Sequence, residues 1–221
     1  MGAVRLLKEK SCTEQACQVV PRLVDGVRIG FPEIEVFLGF DVTLRSRRLE
    51  GRLLLELLYD QEMSNMALHM GIVALKAFHQ APTSSVPSFI SSRAYDLLRV
   101  ARLAIGNISN SGGLTSKQRK ELWRLVKHYS KRRADDHVLL HGDLHPSNVI
   151  IDLETNSLGF IDLEAMRIGK AATDFAPLWG AFHFADPLLG QRFYQKYVEH
   201  FASVVDECFC RDVEAELALR S

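Results

Sequence analysis

The pattern of apolar and polar positions divides the chain into a strand-like front and a longer helical part. Residues 3–7 (AVRLL) form a short apolar run, which predicts a strand. Ile34, Val36 and Leu38 recur at every second position, which predicts another strand, and Arg48–Leu58 reads as its hairpin partner. We therefore expect residues 1–60 to form a small lobe that contains antiparallel strands.

From residue 64 onward the apolar residues recur with the 3.6-residue period of a helix. This pattern predicts a helix that Pro82 ends, and further helices over 93–107 and 117–132, the last capped by Thr115 or Ser116. After Asp174 it predicts helices that break at 186–187. Strand signals return only within 137–163, so residues 61–221 are expected to form a mainly helical lobe.

Composition excludes several classes of protein. Lysine plus arginine equals aspartate plus glutamate at 27 each, which argues against binding nucleic acid through bulk positive charge. The four cysteines show no zinc-ligand spacing. No apolar run reaches the roughly 18 residues of a membrane span, and no signal peptide is evident. We expect a cytoplasmic protein that contacts neither membrane nor nucleic acid.

The stretch HGDLHPSN, residues 141–148, places polar side chains between two apolar runs. The following segment NVIID can pair with GFIDL through a short turn, which would bring Asp162 towards Asn148. An amide oxygen beside a carboxylate suits Mg²⁺, which completes its shell with water and substrate phosphates. Asp143 would remain available as a base towards a hydroxyl, and this division of roles is what phosphoryl transfer requires.

These motifs carry a family resemblance. HGDLHPSN followed by GFIDLEAMRIGKAATDFA is similar to the aminoglycoside phosphotransferase and choline kinase-like family. The resemblance implies an α+β, protein-kinase-like two-lobe fold, with Asp143 as catalytic base and Asn148 and Asp162 as magnesium ligands. It also implies that Asp174 supports the site and that His141 braces the loop.

The resemblance further implies a nucleotide site for ATP or GTP. Lys8 is the candidate for the phosphate-binding lysine of a small-lobe strand, with Glu14 as its helical partner, and Lys10 is the alternative lysine. Ser147 would lie near the phosphates. The main chain of Glu56 and Leu58 would hydrogen-bond the base. The expected partners are this nucleotide and a small-molecule acceptor, such as an aminoglycoside or a small metabolite.

One departure from the family pattern concerns the N-terminal side. Family members open with two strands and a phosphate-covering loop, whereas here the predicted lysine strand follows Met1 almost at once. A shortened N-terminal β lobe is therefore expected, and a catalytically weak or inactive binding protein is the alternative to an enzyme. A protein kinase is disfavoured, because Leu163 and Glu164 follow Asp162 where Phe-Gly would stand. Five aromatic residues are expected to lie in the core rather than to form a stacking platform for the acceptor: Phe182, Phe184, Phe193, Tyr194 and Tyr197.

Overall fold

The structure is a computed structural model, and it describes residues 2–38, 42–86, 105, 113, 115–130 and 137–220. The helices are α1 Gly2–Val19, α2 Leu54–Leu58, α3 Ser64–His79, α4 Ser116–Ser130, α5 Ala172–Ala185, α6 Pro187–His200 and α7 Glu207–Arg220. The strands are β1 Leu23–Val24, β2 Val27–Gly30, β3 Ile34–Leu38, β4 Val42–Ser46, β5 Arg52–Leu53, β6 His137–Leu140, β7 Val149–Asp152, β8 Ser157–Phe160 and β9 Arg167–Lys170. Short 3₁₀ turns occupy Thr83–Ser85, Pro146–Asn148 and Leu163–Ala165.

The strand predicted before Lys8 is wrong, because this segment is the first half of helix α1. Cys12, Ala16 and Val19 are buried along one face of that helix, at the spacing of successive helical turns. No proline interrupts the chain before Pro21, so the helix continues through the whole segment. The five-residue apolar run at the front was too short to distinguish a strand from a helix.

The predicted hairpin partner of β3 is also wrong. β3 pairs with β4 in a separate two-stranded sheet, whereas β5 pairs with β7. The leucine-rich run after β5 is helix α2, since Leu54, Leu57 and Leu58 are buried at the i, i+3, i+4 spacing of one helical face. Glu56 and Leu58, predicted to present strand main chain to a base, therefore lie in a helix.

The five-stranded sheet has the order β1-β2-β8-β7-β5. The predicted hairpin of NVIID with GFIDL is confirmed, because β7 and β8 pair antiparallel with Val149 opposite Phe160. β2 adds to β8 in parallel, so strands of the first 60 residues join those that follow the HGDLHPSN loop. The division into lobes at residues 1–60 and 61–221 stays a prediction.

The helical part surrounds α3, whose residues from Met70 to His79 are all buried. α5, α6 and α7 pack against each other around aromatic side chains, with Phe175 at the centre of the cluster. The predicted cap of α4 is confirmed, since the N–H of Gln118 donates to Thr115 Oγ1 at 3.2 Å. The helix predicted over 93–107 lies outside the described residues, apart from Ile105. Among the described residues, no helix combines the length and apolar character of a membrane span.

Replacing Phe175 by alanine tests this cluster. Phe175 is fully buried, with ring centroids 4.5 Å from Tyr197 and 5.3 Å from Phe209. We expect Phe175→Ala to lower the free energy of unfolding by about 3–5 kcal/mol in urea titrations. Phe184→Ala in the same helix is the control, because that side chain is 86% exposed and should change stability by less than about 0.5 kcal/mol. Equal losses in the two variants would contradict this view of the core.

Candidate active site

The loop between β6 and β7 contains the predicted catalytic residue, and Gly142 shapes its first turn. Gly142 has φ +89°, and a Cβ at this position would lie 2.1 Å from the carbonyl oxygen of Ala165. The neighbouring Arg167 guanidinium donates to that same carbonyl at 2.9 Å. Glycine is therefore required here for both its backbone conformation and its small size.

His141 braces this loop from the core side. Its ring is fully buried, edge-on to Phe78 at 5.4 Å between centroids. Nε2 lies 2.9 Å from the carbonyl oxygen of Ile161, and the N–H of Asp143 donates to Nδ1 at 3.4 Å. These partners require a neutral ring with its proton on Nε2. Burial lowers the pKa of His141 although Asp174 and other carboxylates act in the opposite direction, so the neutral form is maintained.

Asp174 fixes the start of the loop from the first turn of α5. Its carboxylate is completely buried and accepts the N–H of His141 at 2.8 Å and the N–H of Gly142 at 2.9 Å. Burial by itself would raise the pKa of Asp174, but His79, His141 and the Gly142 N–H together bring it below its usual value. The His79 Nε2 lies 3.8 Å from the carboxylate, which is an electrostatic contact and too long for a hydrogen bond.

The predicted site residues Asp143, Asn148 and Asp162 are brought together by the β7–β8 hairpin. The side-chain amide of Asn148 donates to the carbonyl of Asp143 at 2.9 Å, and the N–H of Ile161 donates to the carbonyl of Asn148 at 3.1 Å. Asp162 has φ +59° and ψ 54°, a left-handed conformation that turns the chain away from the strand. His141 lies within electrostatic range of both Asp143 and Asp162.

The donor set at this point fits a magnesium ion. Asn148 uses its NH₂ group on the Asp143 carbonyl, which leaves its amide oxygen for a cation. Asp162 adds a carboxylate that caps no backbone N–H of the turn that follows it. The part of the chain described here contains no cluster of three or more His, Cys, Asp or Glu arranged for a metal. Mg²⁺ does not need such a cluster, because it is usually held by one or two protein ligands, water and phosphate.

Ser147 lies in the 3₁₀ turn directly before Asn148. Its hydroxyl is 3.0 Å from His145 Nδ1, and its N–H donates to the same nitrogen at 3.4 Å. His145 in turn donates its N–H to the carbonyl of Asp143 at 2.9 Å. Ser147 is therefore held at the same end of the hairpin as the predicted base and metal ligands.

The sequence prediction paired Glu14 with Lys8 and gave Lys10 as the alternative lysine. Glu14 is exposed and forms an ion pair with Lys10, one helical turn away on α1. Glu9 lies one helical turn after Arg5 on α1, and burial together with the carboxylates of Asp162 and Glu164 raises its pKa. Arg5 forms an ion pair with Glu164, so α1 packs against the turn after Asp162.

Sequence reasoning missed two residues that matter to the site. Glu9 precedes the buried Cys12, Thr13 and Ala16 at helical spacing, and this signal became visible only once α1 was known to be a helix. Phe184 was predicted to be core and is largely exposed, although Phe182 beside it is buried. The apolar pattern of α5 marks both as hydrophobic positions and does not show which face is covered.

Comparisons with known proteins fit this geometry. A structural search returned the aminoglycoside phosphotransferase APH(3'')-Id from Streptomyces rimosus, in complex with ADP and streptomycin, at TM-score 0.68 and 18% identity over 99% of this chain and 83% of that one. It also returned a GDP and kanamycin complex of APH(2")-IIia, at TM-score 0.65 and 17% identity over 98% and 74%. A macrolide 2'-phosphotransferase type I matched at TM-score 0.65 and 17% identity over 99% and 71%. A search of curated proteins gave no match.

These likenesses establish the class of fold, an α+β protein of the protein-kinase-like kind with a small sheet and a helical lobe. The sequence model described as "Phosphotransferase enzyme family" matches residues 16–207. The chain therefore belongs to the phosphotransferase enzyme family.

Replacing Asp174 by asparagine tests how the loop is held. Asparagine keeps one acceptor oxygen and loses the charge, so we expect Asp174→Asn to lower the free energy of unfolding by about 2–3 kcal/mol at pH 7. The folded pKa of Asp174 is depressed, so its contribution is fully present above the ordinary carboxyl value of about 3.9 and is lost as the pH falls below it.

The difference in unfolding free energy between wild type and Asp174→Asn should therefore shrink below about pH 4, measured by urea titration at several pH values. Asp186→Asn is the matched control, because that side chain caps α6 through the N–H of Leu188 and asparagine caps equally well. A difference that stays constant down to pH 3 would contradict the role given to the Asp174 charge.

Proposed function

We propose that this protein transfers the γ-phosphoryl group of a nucleoside triphosphate, ATP or GTP, to a hydroxyl of a small molecule. The observation that supports the proposal is the hairpin register, in which the Asn148 amide donates to the carbonyl of Asp143 and the N–H of Ile161, next to Asp162, donates to the carbonyl of Asn148. Membership of the phosphotransferase enzyme family supports it. The solved structures with ADP and streptomycin, or with GDP and kanamycin, support a nucleotide and a small-molecule acceptor as the partners.

Asp143 is the proposed base. It is half-buried in the loop, and its backbone is fixed on both sides by the N–H donations to His141 Nδ1 and from Asn148 to its carbonyl. A carboxylate held on such a rigid loop can accept the proton of the acceptor hydroxyl as the oxygen attacks phosphorus. His141 is a positioning residue, because both of its ring nitrogens are used inside the loop.

Asn148 and Asp162 are the proposed ligands of Mg²⁺. When bound, the ion neutralises charge on the triphosphate oxygens. The protein contributes the amide oxygen of Asn148, set by its NH₂ donation, and the carboxylate of Asp162, set by a left-handed backbone. Ser147, one residue before Asn148, is the proposed hydroxyl contact to the phosphates.

The nucleotide contacts from the N-terminal side differ from the sequence prediction. Glu9 replaces Glu14 in the proposal as the acidic residue of α1 near the site, since it lies one helical turn after Arg5, which pairs with Glu164. Lys8 stays a candidate for a phosphate contact, now from a helix. Glu56 and Leu58 are not part of the proposal, because the main chain of α2 is helical and does not offer the open edge of a strand.

Asparagine substitutions at the two aspartates should separate the roles. We expect Asp143→Asn to lower kcat by about 10²–10⁴-fold, with magnesium-dependent nucleotide binding retained. Asp162→Asn should lose both turnover and magnesium-dependent nucleotide binding, since it removes a charged metal ligand. Nucleoside diphosphate release with a panel of hydroxyl acceptors measures turnover, and calorimetry with and without Mg²⁺ measures binding.

Glu154→Gln in the exposed β7–β8 turn is the control for these two variants and should behave as wild type. Wild-type turnover in Asp143→Asn would reject Asp143 as the base. Unchanged magnesium dependence in Asp162→Asn would reject the metal assignment.

Glutamine substitutions on α1 test which acidic residue serves the site. Glu9→Gln removes a negative charge beside Asp162, so the Mg²⁺ concentration that gives half-maximal nucleotide binding should rise about fivefold. Glu14→Gln is the matched control and should leave it within about twofold, because Glu14 pairs with Lys10 on the outer surface. Magnesium titrations by calorimetry make the comparison. A larger effect at Glu14 than at Glu9 would restore the original sequence assignment.

A further inference from the structure

A groove of about 970 Å³ runs between α5 and α7 and has His145 of the catalytic loop in its wall. The backbone N–H of His145 donates to the backbone carbonyl of Asp143 at 2.9 Å, so this wall is joined to the main chain of the loop that carries the proposed base. The volume falls within the range of small-molecule sites. The groove therefore adjoins the catalytic loop two residues from Asp143.

The walls of the groove are apolar and aromatic. Trp179, His183 and Phe184 contribute from α5, and Leu217 contributes from α7. The indole N–H of Trp179 donates to the carbonyl of Gly190 at 3.1 Å, so its hydrogen-bonding capacity is already used. His183 stacks on the Trp179 ring at 5.3 Å and 20°, which extends the flat surface.

The described residues that line the groove include no aspartate, glutamate, lysine or arginine. A polycationic acceptor is normally matched by carboxylates, and a triphosphate by lysine or arginine. Among the described lining residues, neither a polycation nor a triphosphate has such a partner. An exposed aromatic such as Phe184, 86% accessible beside this concave surface, instead suits a ligand that buries apolar area.

We propose that this groove is the acceptor site and that the acceptor is an uncharged, largely apolar molecule that carries a hydroxyl. The proposal rests on the phosphotransferase function proposed above. The hydroxyl oxygen forms a bond to the γ-phosphorus as its proton passes to the Asp143 carboxylate. The bond between the γ-phosphorus and the β–γ bridging oxygen breaks, and the nucleoside diphosphate leaves with that electron pair.

Binding can be measured without turnover, because the chain has two tryptophans, Trp123 and Trp179. In a Trp123→Phe background the fluorescence reports Trp179 in the groove wall. Chloramphenicol and erythronolide B, two uncharged hydroxyl compounds, serve as probes, and kanamycin and streptomycin serve as polycationic comparators. We expect a saturable change with at least one uncharged probe below about 1 mM, the upper end of ordinary KM values, and none with the polycations.

A pair of exposed apolar side chains supplies matched variants. Phe184→Ala should weaken binding of the uncharged probe about tenfold and raise its KM equally, with the nucleotide KM unchanged. Leu188→Ala is the control, since this side chain is 69% exposed and is not among the groove residues, and it should stay within about twofold. Both variants should unfold as wild type does, because neither side chain is in the core.

The outcomes distinguish failure of the groove proposal from failure of the proposed function. Phosphorylation of kanamycin or streptomycin that is insensitive to Phe184→Ala would keep the phosphotransferase function and overturn the uncharged acceptor. Saturable binding of an uncharged probe without phosphorylation would support the ligand class and reject the proposed function. Two results would overturn the groove as an acceptor site. One is the absence of any saturable fluorescence change with the uncharged probes. The other is a Trp179 signal that changes with protein concentration, together with a dimer mass in sedimentation.

Discussion

The arrangement of the catalytic loop depends on one buried carboxylate. Asp174 accepts the N–H groups of His141 and Gly142 from the first turn of α5, in a site without solvent. A buried charge of this kind is tolerated only when its hydrogen bonds are satisfied, so the loop and the helix fix each other. His141 then carries the constraint onward to Asp143 and Ile161, and so to both ends of the β7–β8 hairpin.

This constraint explains why α5 is central both to the position of the proposed base and to the proposed acceptor groove. Its first turn holds the loop that presents Asp143, and its later turns form one wall of the groove through Trp179 and Phe184. A displacement of α5 would therefore move the base and the acceptor surface together.

The N-terminal helix packs against the turn that follows Asp162. Arg5 pairs with Glu164, and Glu9 lies one helical turn after Arg5, so this face of α1 packs on the turn that follows Asp162. The pKa of Glu9 rises because burial and two neighbouring carboxylates disfavour its charge. Carboxyl groups are therefore gathered near the proposed magnesium ligands, and a divalent cation would relieve the repulsion between them.

The sequence by itself determined the features that depend on near neighbours. The hairpin that joins Asn148 to Ile161 was predictable because only a short turn separates its strands, and α3 because its apolar period is long and regular. Tertiary structure decided the rest. Lys8 and Leu58 lie in helices because short apolar runs fit either period, and only burial against the remainder of the fold selects one. The position of Glu9 beside Asp162 and the uncovered face of Phe184 follow from contacts between segments far apart in the chain, which no local pattern encodes.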